Sequence, residues 1–349
     1  MGASAFPCAE CVVSSQSDIA SALDRINRLS GIPLNLFVAD AGGRLLGSLT
    51  DGDIRRGLLA GKSLLSPVTE VMNSQCRRLH LGADNLHSFQ QARALGLGLL
   101  PVVDADDRIV GIANLRELRS MLPLDAILMA GGRGERLRPL TLTTPKPLLP
   151  VGDRPIIDHN VCALASYGIA DIYVTVNYLR EQIEAHFAAP GHPARVTCVR
   201  EDSPLGTFGS VALVPELHHD NVLVMNSDLL TTLNFERMYE HHVATGATLT
   251  MAAVPYSVSV PYAILSTDEE RVLGFEEKPT YNYFANAGVY IVRREALGSL
   301  DGRTRVDATD FIDSLLASGR KVSYFPIDGT WIDIGSPDDY RMACRKMTC

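Results

Sequence analysis

Four cations follow a run of glycines: Arg133, Arg136, Arg138 and Lys146 come just after or between Gly131, Gly132 and Gly134. Glycine lets a backbone turn sharply and bring its N–H groups close to a phosphate, and the cations add charge beside it. The chemistry this suits is the holding of a polyphosphate. Two familiar phosphate loops do not fit. No Lys-Ser/Thr pair directly follows Gly131-Gly-Arg-Gly134, and the G-x-G-x-x-G spacing is absent because Leu137 follows Arg136. Basic residues inside the loop suit a triphosphate whose leaving group is pyrophosphate. Net charge over 349 residues is −8, so there is no basic footprint for nucleic acid, and the phosphate must be met locally.

Something must hold that loop. Ala126 to Met129 is apolar and reads as a buried strand ending at it. Beyond it strands alternate with helices: a helix opening at Asp153-Arg-Pro155 with Gly168 past its end, a strand Ile172 to Val176, a helix Leu179 to Phe187, strands Val196 to Val199 and Asn221 to Met225, and a helix Phe235 to Thr245 between Asn234 and Gly246. A strand Thr248 to Val254 follows, then hairpin-like pieces at Tyr262 to Leu265, Val272 to Glu276 and Ala287 to Val292, and a final helix opened by Ser336-Pro-Asp-Asp339. The alternation predicts a mixed, mostly parallel, Rossmann-like α/β sheet. Ligands in such sheets bind beyond the carboxyl ends of the strands, where both the Gly-rich loop and Asp228 fall.

The first third is built differently. Leu36-Phe-Val-Ala-Asp40, Gly42-Gly43 and Leu45 to Asp53 are echoed by Leu100-Pro-Val-Val-Asp104, Asp106-Asp107 and Ile109 to Glu117. Gly47 and Gly111 lie 64 residues apart (111 − 47). Both copies read as strand, tight turn, strand, helix, each after a helical pattern: Ile19, Leu23, Ile26, Leu29 and then Leu86, Phe89, Ala92, Leu95. Leu118 to Leu124 is expected to close the second copy's helix, with Pro123 breaking it and a short, inflexible linker coupling the parts. By residue type alone, Thr50 is a strand-end residue and Asp53 a helix cap.

The repeat resembles paired CBS domains over roughly residues 8 to 120. That resemblance implies an adenosine nucleotide bound through Thr50 and Asp53, with at most one site, because Asn114 and Glu117 replace them in the second copy. Such a module can equally serve as a dimerisation platform. The expected domains are 1–62 and 63–121 for the two CBS units and 125–349 for the remainder. Cys8-Ala-Glu-Cys11 is half of a four-cysteine zinc site with no second half, so metal binding is not expected there. His218-His219 and His241-His242 lack partners at ligand spacing and are expected at surface or helix positions. Seven cysteines in a long chain argue against a disulfide framework, and the lack of a long apolar run or signal peptide makes the cytoplasm the default location.

Residues 125 to 345 resemble the sugar-1-phosphate nucleotidyltransferases of the glucose- and mannose-1-phosphate type. The resemblance rests on Leu128-Met-Ala-Gly-Gly-Arg-Gly-Glu-Arg-Leu-Arg-Pro-Leu-Thr141, Thr144-Pro-Lys-Pro-Leu148, Pro204-Leu-Gly-Thr-Phe-Gly209, Met225-Asn-Ser-Asp228, Phe275-Glu-Glu-Lys-Pro279, Asn286-Ala-Gly-Val-Tyr290 and Trp331-Ile-Asp-Ile-Gly335, in family order. It implies the nucleotide-diphospho-sugar transferase fold and a reaction in which a sugar 1-phosphate attacks the α-phosphorus of a nucleoside triphosphate. It also implies roles. Arg133 and Lys146 neutralise the triphosphate, and Asp228 and Asp333 hold Mg²⁺. Gly131, Gly132, Gly134, Asn177, Gly206 and Thr207 lie along the nucleotide. Glu277, Lys278, Asn286 and Gly288 meet the sugar phosphate. Arg136 and Arg138 are expected as surface cations, Glu276 as a solvated neighbour of Glu277, and Trp331 as packing. Ser227 and Phe208 depart from the glycine and alanine common at their places, which bears on the space beside Asp228 and on the pocket's shape. The CBS fusion resembles a guanylyltransferase subgroup that joins GTP to glucosamine 1-phosphate in the route to legionaminic acid. Thymidylyl or uridylyl transfer to glucose 1-phosphate, guanylyl transfer to mannose 1-phosphate, and a non-catalytic nucleotide-sugar-binding homologue are the alternatives. A homo-oligomer is expected, with neither nucleic acid nor membrane as partner.

Overall fold

The computed structural model describes residues 8–29 and 35–347; the side chain of Cys8 lies outside the description, while Cys11 is fully buried. The chain forms two compact units. The first comprises residues 1–125, 161–172 and 187–197, and the second residues 126–160, 173–186 and 198–349. No helix among the described residues is long and apolar enough to cross a membrane.

The first unit holds the repeat. Strands β1 (Val12–Ser14), β2 (Asn35–Ala39) and β3 (Leu45–Thr50) form one sheet, and β4 (Leu79–His80), β5 (Leu99–Val103) and β6 (Ile109–Asn114) form another, each in sequence order. In both, the first pair is parallel and the second antiparallel, with an irregularity after Val38 and after Val102. The two hairpins meet through reciprocal bonds, Leu45 N to Asp107 O at 2.9 Å and Ile109 N to Gly43 O at 3.0 Å. Shifting 43 and 45 by the 64-residue repeat gives 107 and 109, so the copies are related locally by a two-fold. The helix Ile19–Arg28 is capped by Asp18, which accepts from Ser21 N at 2.8 Å, and buries Ile19, Ala22 and Ile26. That is the stripe its 3.6-residue spacing dictates.

Thr50 and Asp53 form a capping box on the helix Asp51–Leu59. Asp53 Oδ2 accepts from Thr50 N at 2.8 Å and from its hydroxyl at 2.6 Å, while Arg56 occupies Oδ1. Any ligand at these residues must compete with that network. Thr50→Ala is expected to cost about 1 kcal/mol of stability through the lost cap. Urea unfolding checks this, and an unchanged midpoint would remove the cap from the account.

The second copy departs from expectation, because no helix follows β6. Glu117 N and Leu118 N both return to Asn114 O, starting a single turn, but Arg119 N bonds Ser166 O at 2.6 Å and Leu122 N bonds Tyr167 O at 2.9 Å. Those donors are taken before a second turn can form. Leu115, Leu118 and Leu122 are buried in the resulting irregular segment.

Strands β7 (Leu124–Met129), β10 (Asp171–Val176), β11 (Arg195–Arg200), β12 (Asn221–Asn226), β14 (Leu249–Ser259), β17 (Thr280–Arg293) and β18 (Val322–Pro326) make a seven-stranded sheet ordered β11-β10-β7-β12-β17-β14-β18. Short pairs β8 (Pro150–Val151) with β9 (Arg154–Pro155), β13 (Leu229–Thr231) with β19 (Trp331–Asp333), and β15 (Ile264–Asp268) with β16 (Arg271–Glu276) complete the strands. The architecture is a mixed, mostly parallel α/β sheet of the nucleotide-diphospho-sugar transferase type. β17 runs antiparallel to both of its neighbours. β7 and β12 are buried along nearly their whole length, which is why they read as unbroken apolar runs.

Several local readings change. The helix expected from Asp153 starts at Ile156, because Arg154–Pro155 pairs back on Pro150–Val151 across Gly152 at φ +70°. β14 runs five residues beyond the expected Val254, carrying Pro255 where it has a single neighbour, a place strands tolerate proline. Phe208 faces the core rather than a pocket. It stacks on Phe311 with ring centroids 4.7 Å apart and meets Tyr290 edge-on at 5.2 Å.

The helix Phe235–Thr245 keeps its expected caps, Asn234 and a left-handed Gly246, but its His242 is buried. His242 Nε2 lies 3.1 Å from Asn221 Oδ1 and Nδ1 lies 2.8 Å from the Thr250 hydroxyl, a pair of bonds that the neutral ring satisfies. Burial, then the nearby Arg293, lowers its pKa to about 4. The unfolded chain therefore binds a proton that the folded chain refuses. This contribution is full above the ordinary histidine value and is lost as pH falls through about 4. Replacing His242 by Gln is expected to flatten the stability–pH curve over that window by up to about 3 kcal/mol. Thermal unfolding from pH 7 to 4 checks it, and equal slopes in both proteins would refute it.

Candidate active site

The site is assembled at the carboxyl ends of β7 and β12. Ala130 N makes the last ladder bond, to Thr175 O at 2.9 Å, and the Gly-rich loop begins there. Two of its glycines are required by close approach. A Cβ on Gly131 would stand 2.6 Å from Glu201 Oε1. Gly134 is left-handed at φ +60°, and a Cβ there would stand 2.9 Å from Thr141 Cγ2. Gly132 faces open space. The Thr141 hydroxyl donates to Gly134 O at 2.8 Å and folds the loop back toward Lys146.

Ser227 fastens the acidic side to the basic loop. Its hydroxyl donates to Met129 O at 2.7 Å, and Asn160 Nδ2 donates to Ser227 O at 3.0 Å. The departure from glycine therefore adds a tie rather than a clash. Asp228 follows directly. The β13–β19 register pairs Leu229 with Asp333, and Ile334 N bonds Asp228 O at 3.2 Å, so two aspartates distant in sequence become neighbours. Lys146 Nζ donates to Asp228 Oδ2. Burial and then the Asp228 charge raise the Asp333 carboxyl above its usual range, with Lys146 and Arg136 opposing. Asp228 Oδ1 is buried and has no hydrogen-bond partner among the described residues. Two like-charged carboxylates with an orphaned oxygen fit a hard dication such as Mg²⁺.

Lys146 and Asp228 line one cavity of about 400 Å³, with Gly132, Gly134, Arg136, Ser227 and Gly335 also in its wall; Asp333 is not a wall residue. Arg136, expected at the surface, is exposed and also lines the cavity. Its guanidinium lies 3.3 Å from where a Cβ on Gly335 would stand, so the glycine of the Trp-x-Asp-x-Gly motif makes room for it. Arg138 is exposed, as expected of a surface cation, and pairs at 3.2 Å with Glu135, itself a wall residue. Arg133 is exposed on the loop between the two lining glycines.

Other expected site residues lie outside that wall. Asn177 donates to Glu201 O at 2.9 Å and flanks Gly131. Gly206 is left-handed against Asp307 and Val306, and the Thr207 hydroxyl accepts from Ala308 N at 2.7 Å, seating the helix Ala308–Ala317. Asn286 accepts from Gly288 N at 3.0 Å and donates to the Tyr290 hydroxyl at 2.8 Å. Gly288, at φ +71°, permits the irregularity in β17, since a Cβ would stand 2.5 Å from Asn226 Nδ2. Trp331 Nε1 donates to Ala287 O at 2.9 Å, so its packing role includes a bond that pins this bend. Glu277 and Lys278 are exposed in the connection from β16 to β17, with Lys278 left-handed at φ +46°.

Sequence reasoning missed three supports. Glu201 is buried beneath Gly131, and burial raises its carboxyl above the usual range. Asn160 braces the strand end that carries Asp228, and the Asn226 amide packs against Gly288. Asn226 stands inside the Met225-Asn-Ser-Asp228 motif and Glu201 shortly before Pro204, so the motifs held a signal for both.

The nucleotidyl transferase family matches residues 125–348, and the CBS domain matches residues 8–60. The chain belongs to the nucleotidyl transferase family and carries a CBS domain ahead of it. It is 31% identical to the D-glycero-alpha-D-manno-heptose 1-phosphate guanylyltransferase of Aneurinibacillus thermoaerophilus, covering 64% of this chain and 98% of that protein. It is 33% identical to the mannose-1-phosphate guanylyltransferase of Mycobacterium tuberculosis, covering 62% of each. The chain thus spans about three fifths of the length of that mannose-1-phosphate relative. Among solved structures, HddC from Yersinia pseudotuberculosis superposes with a TM-score of 0.50 at 23% identity, covering 64% of this chain and 99% of that one, a likeness of fold.

Proposed function

We propose that the chain transfers a nucleoside monophosphate from a nucleoside triphosphate to a sugar 1-phosphate, releasing pyrophosphate and forming a nucleotide sugar. The carrying observation is the meeting of Lys146 with the Asp228–Asp333 pair under the Gly-rich loop. A phosphate oxygen of the sugar 1-phosphate attacks the α-phosphorus. The bond from that phosphorus to the bridging oxygen breaks, and pyrophosphate leaves with the electron pair. The nucleophile is already an anion, so the work is positioning and charge neutralisation rather than proton removal.

The backbone of Gly131, Gly132 and Gly134 cradles the triphosphate. Arg133, Arg136 and Lys146 offset its charge. Asn177, Gly206 and Thr207 shape the nucleotide side. Glu277, Lys278, Asn286 and Gly288 receive the sugar phosphate, with Lys278 screening it from the triphosphate. Asp228 and Asp333 would hold Mg²⁺, which supplies charge neutralisation at the α-phosphoryl group when bound.

GTP is the proposed donor, supported by the guanylyltransferase names of the relatives. Glucosamine 1-phosphate is the proposed acceptor, on the resemblance of the CBS fusion. Mannose 1-phosphate is the second reading, favoured by the name of a relative. The cytoplasm, where nucleoside triphosphates are supplied, is the proposed location. Incubation with each nucleoside triphosphate, Mg²⁺ and a panel of sugar 1-phosphates tests the reading. Pyrophosphate is expected with GTP and a hexose 1-phosphate, and its absence with every pair would overturn the proposal.

A further inference from the structure

We propose that Ser227 is a positioning residue: its hydroxyl holds the Asp228 carboxylate in place beside the Gly-rich loop, so that the cation site is formed before any cation or triphosphate arrives. This role rests on the proposed function. Ser227 stands where glycine is common, and it is 2% exposed. Met129 O accepts from Ser227 N at 3.2 Å and from the Ser227 hydroxyl at 2.7 Å. Ser227 O accepts from Asn160 Nδ2 at 3.0 Å. The N–H, the hydroxyl and the carbonyl of one residue are thus all engaged. Met129 is the last residue of β7, and the next residue, Ala130, is itself held by Thr175 O at 2.9 Å. The root of the Gly-rich loop and the root of Asp228 are therefore clamped at one point. Met129, Ala130, Ser227 and Asp228 all line the cavity.

The need for a clamp is electrostatic. The β13–β19 register sets Asp228 beside Asp333, and the two charges repel. Lys146 takes Asp228 Oδ2 but leaves Oδ1 buried and unpartnered among the described residues. β13 and β19 are three residues long each, so few ladder bonds resist a spreading of the two carboxylates. On the amino side of Asp228 the resistance comes from Ser227. Glycine there would keep the N–H bond alone and gain backbone freedom. A hydrogen bond between buried groups meets little competition from water. Ligands ordered by the fold lose little freedom when the ion binds, which raises affinity. Ser227 thereby strengthens cation binding and sets its place relative to the triphosphate cradle. Glu277 and Lys278, on the connection from β16 to β17, are not tied to this clamp.

Binding of Mn²⁺ to the full chain without substrates, followed by electron paramagnetic resonance of the free ion, tests this apart from activity. The wild type is expected to bind Mn²⁺ and Asp228→Asn to lose that binding, which assigns the ion to this site. Ser227→Ala keeps the Cβ and removes the hydroxyl, and is expected to raise the Kd for Mn²⁺ about fivefold with an unchanged far-ultraviolet circular dichroism spectrum. If alanine disturbs folding, Ser227→Gly gives the same comparison. In turnover, Ser227→Ala is expected to raise KM for the triphosphate at limiting Mg²⁺, to leave KM for the sugar 1-phosphate unchanged, and to recover kcat at saturating Mg²⁺. A merely structural role would instead lower kcat at every Mg²⁺ concentration, and that result overturns the proposal. A folded Ser227→Ala that binds Mn²⁺ as tightly as the wild type also overturns it and leaves the Asp228 site standing. A wild type that binds no Mn²⁺, or an Asp228→Asn that binds it equally well, overturns it together with the metal site on which it rests.

Discussion

Asp228→Asn is expected to lower turnover about 10²–10³-fold, with the fold intact. The amide matches the carboxylate in volume, so β12 and the β13–β19 pairing have no reason to shift. What changes is charge. The orphaned Oδ1 is the oxygen best placed to accept a cation, and the amide offers at most one neutral oxygen there. Lys146 also loses the carboxylate it now contacts, inside a part-buried site. Turnover at saturating Mg²⁺, with circular dichroism as a check on folding, decides the matter. A variant as fast as the wild type would remove Asp228 from the site.

Lys146→Met is expected to lower kcat/KM for the nucleoside triphosphate by about 10²-fold. The lysine side chain is 11% exposed, so its charge acts where water screens it little. It opposes the mutual repulsion of Asp228 and Asp333 and, in the proposed reaction, part of the triphosphate charge. Methionine keeps most of the length and apolar stem while removing the cation. The loss should fall on the triphosphate more than on KM for the sugar 1-phosphate, which Lys278 serves. Initial rates with each substrate varied in turn separate the two. An unchanged kcat/KM for the triphosphate would contradict the role given to Lys146.

The parts of the fold legible in the sequence were those dictated by local chemistry. β7 and β12 are buried along their length and so are written as apolar runs. The helix Phe235–Thr245 carries its own start and stop in Asn234 and Gly246. The 64-residue repeat reappears as two sheets whose hairpins bond reciprocally. What was not legible depends on partners remote in the chain. The helix expected after β6 is lost because Ser166 and Tyr167 take its N–H groups. Phe208, in the middle of a loop motif, is claimed by Phe311 and Tyr290. His242 reads like any helix histidine until Thr250 and Asn221 enclose it.

The candidate site divides along the same line. The glycines and Lys146 announce themselves by type and spacing, and Asp228 by its strand end. Arg136 and Arg133 have the same side chain on the same loop, and it is Arg136, packed beside the glycine at 335, that lines the cavity. The nearness of Asp333 to Asp228 comes from the β13–β19 register, which no local pattern states.

The central claim is that attack occurs at the α-phosphorus. Parallel reactions with GTP labelled in the α-phosphate and in the γ-phosphate, each with Mg²⁺ and the sugar 1-phosphate that supports turnover, test it most directly. The α label should appear in the nucleotide sugar and the γ label in pyrophosphate. A γ label found on the sugar product, or released as free phosphate, would contradict the account.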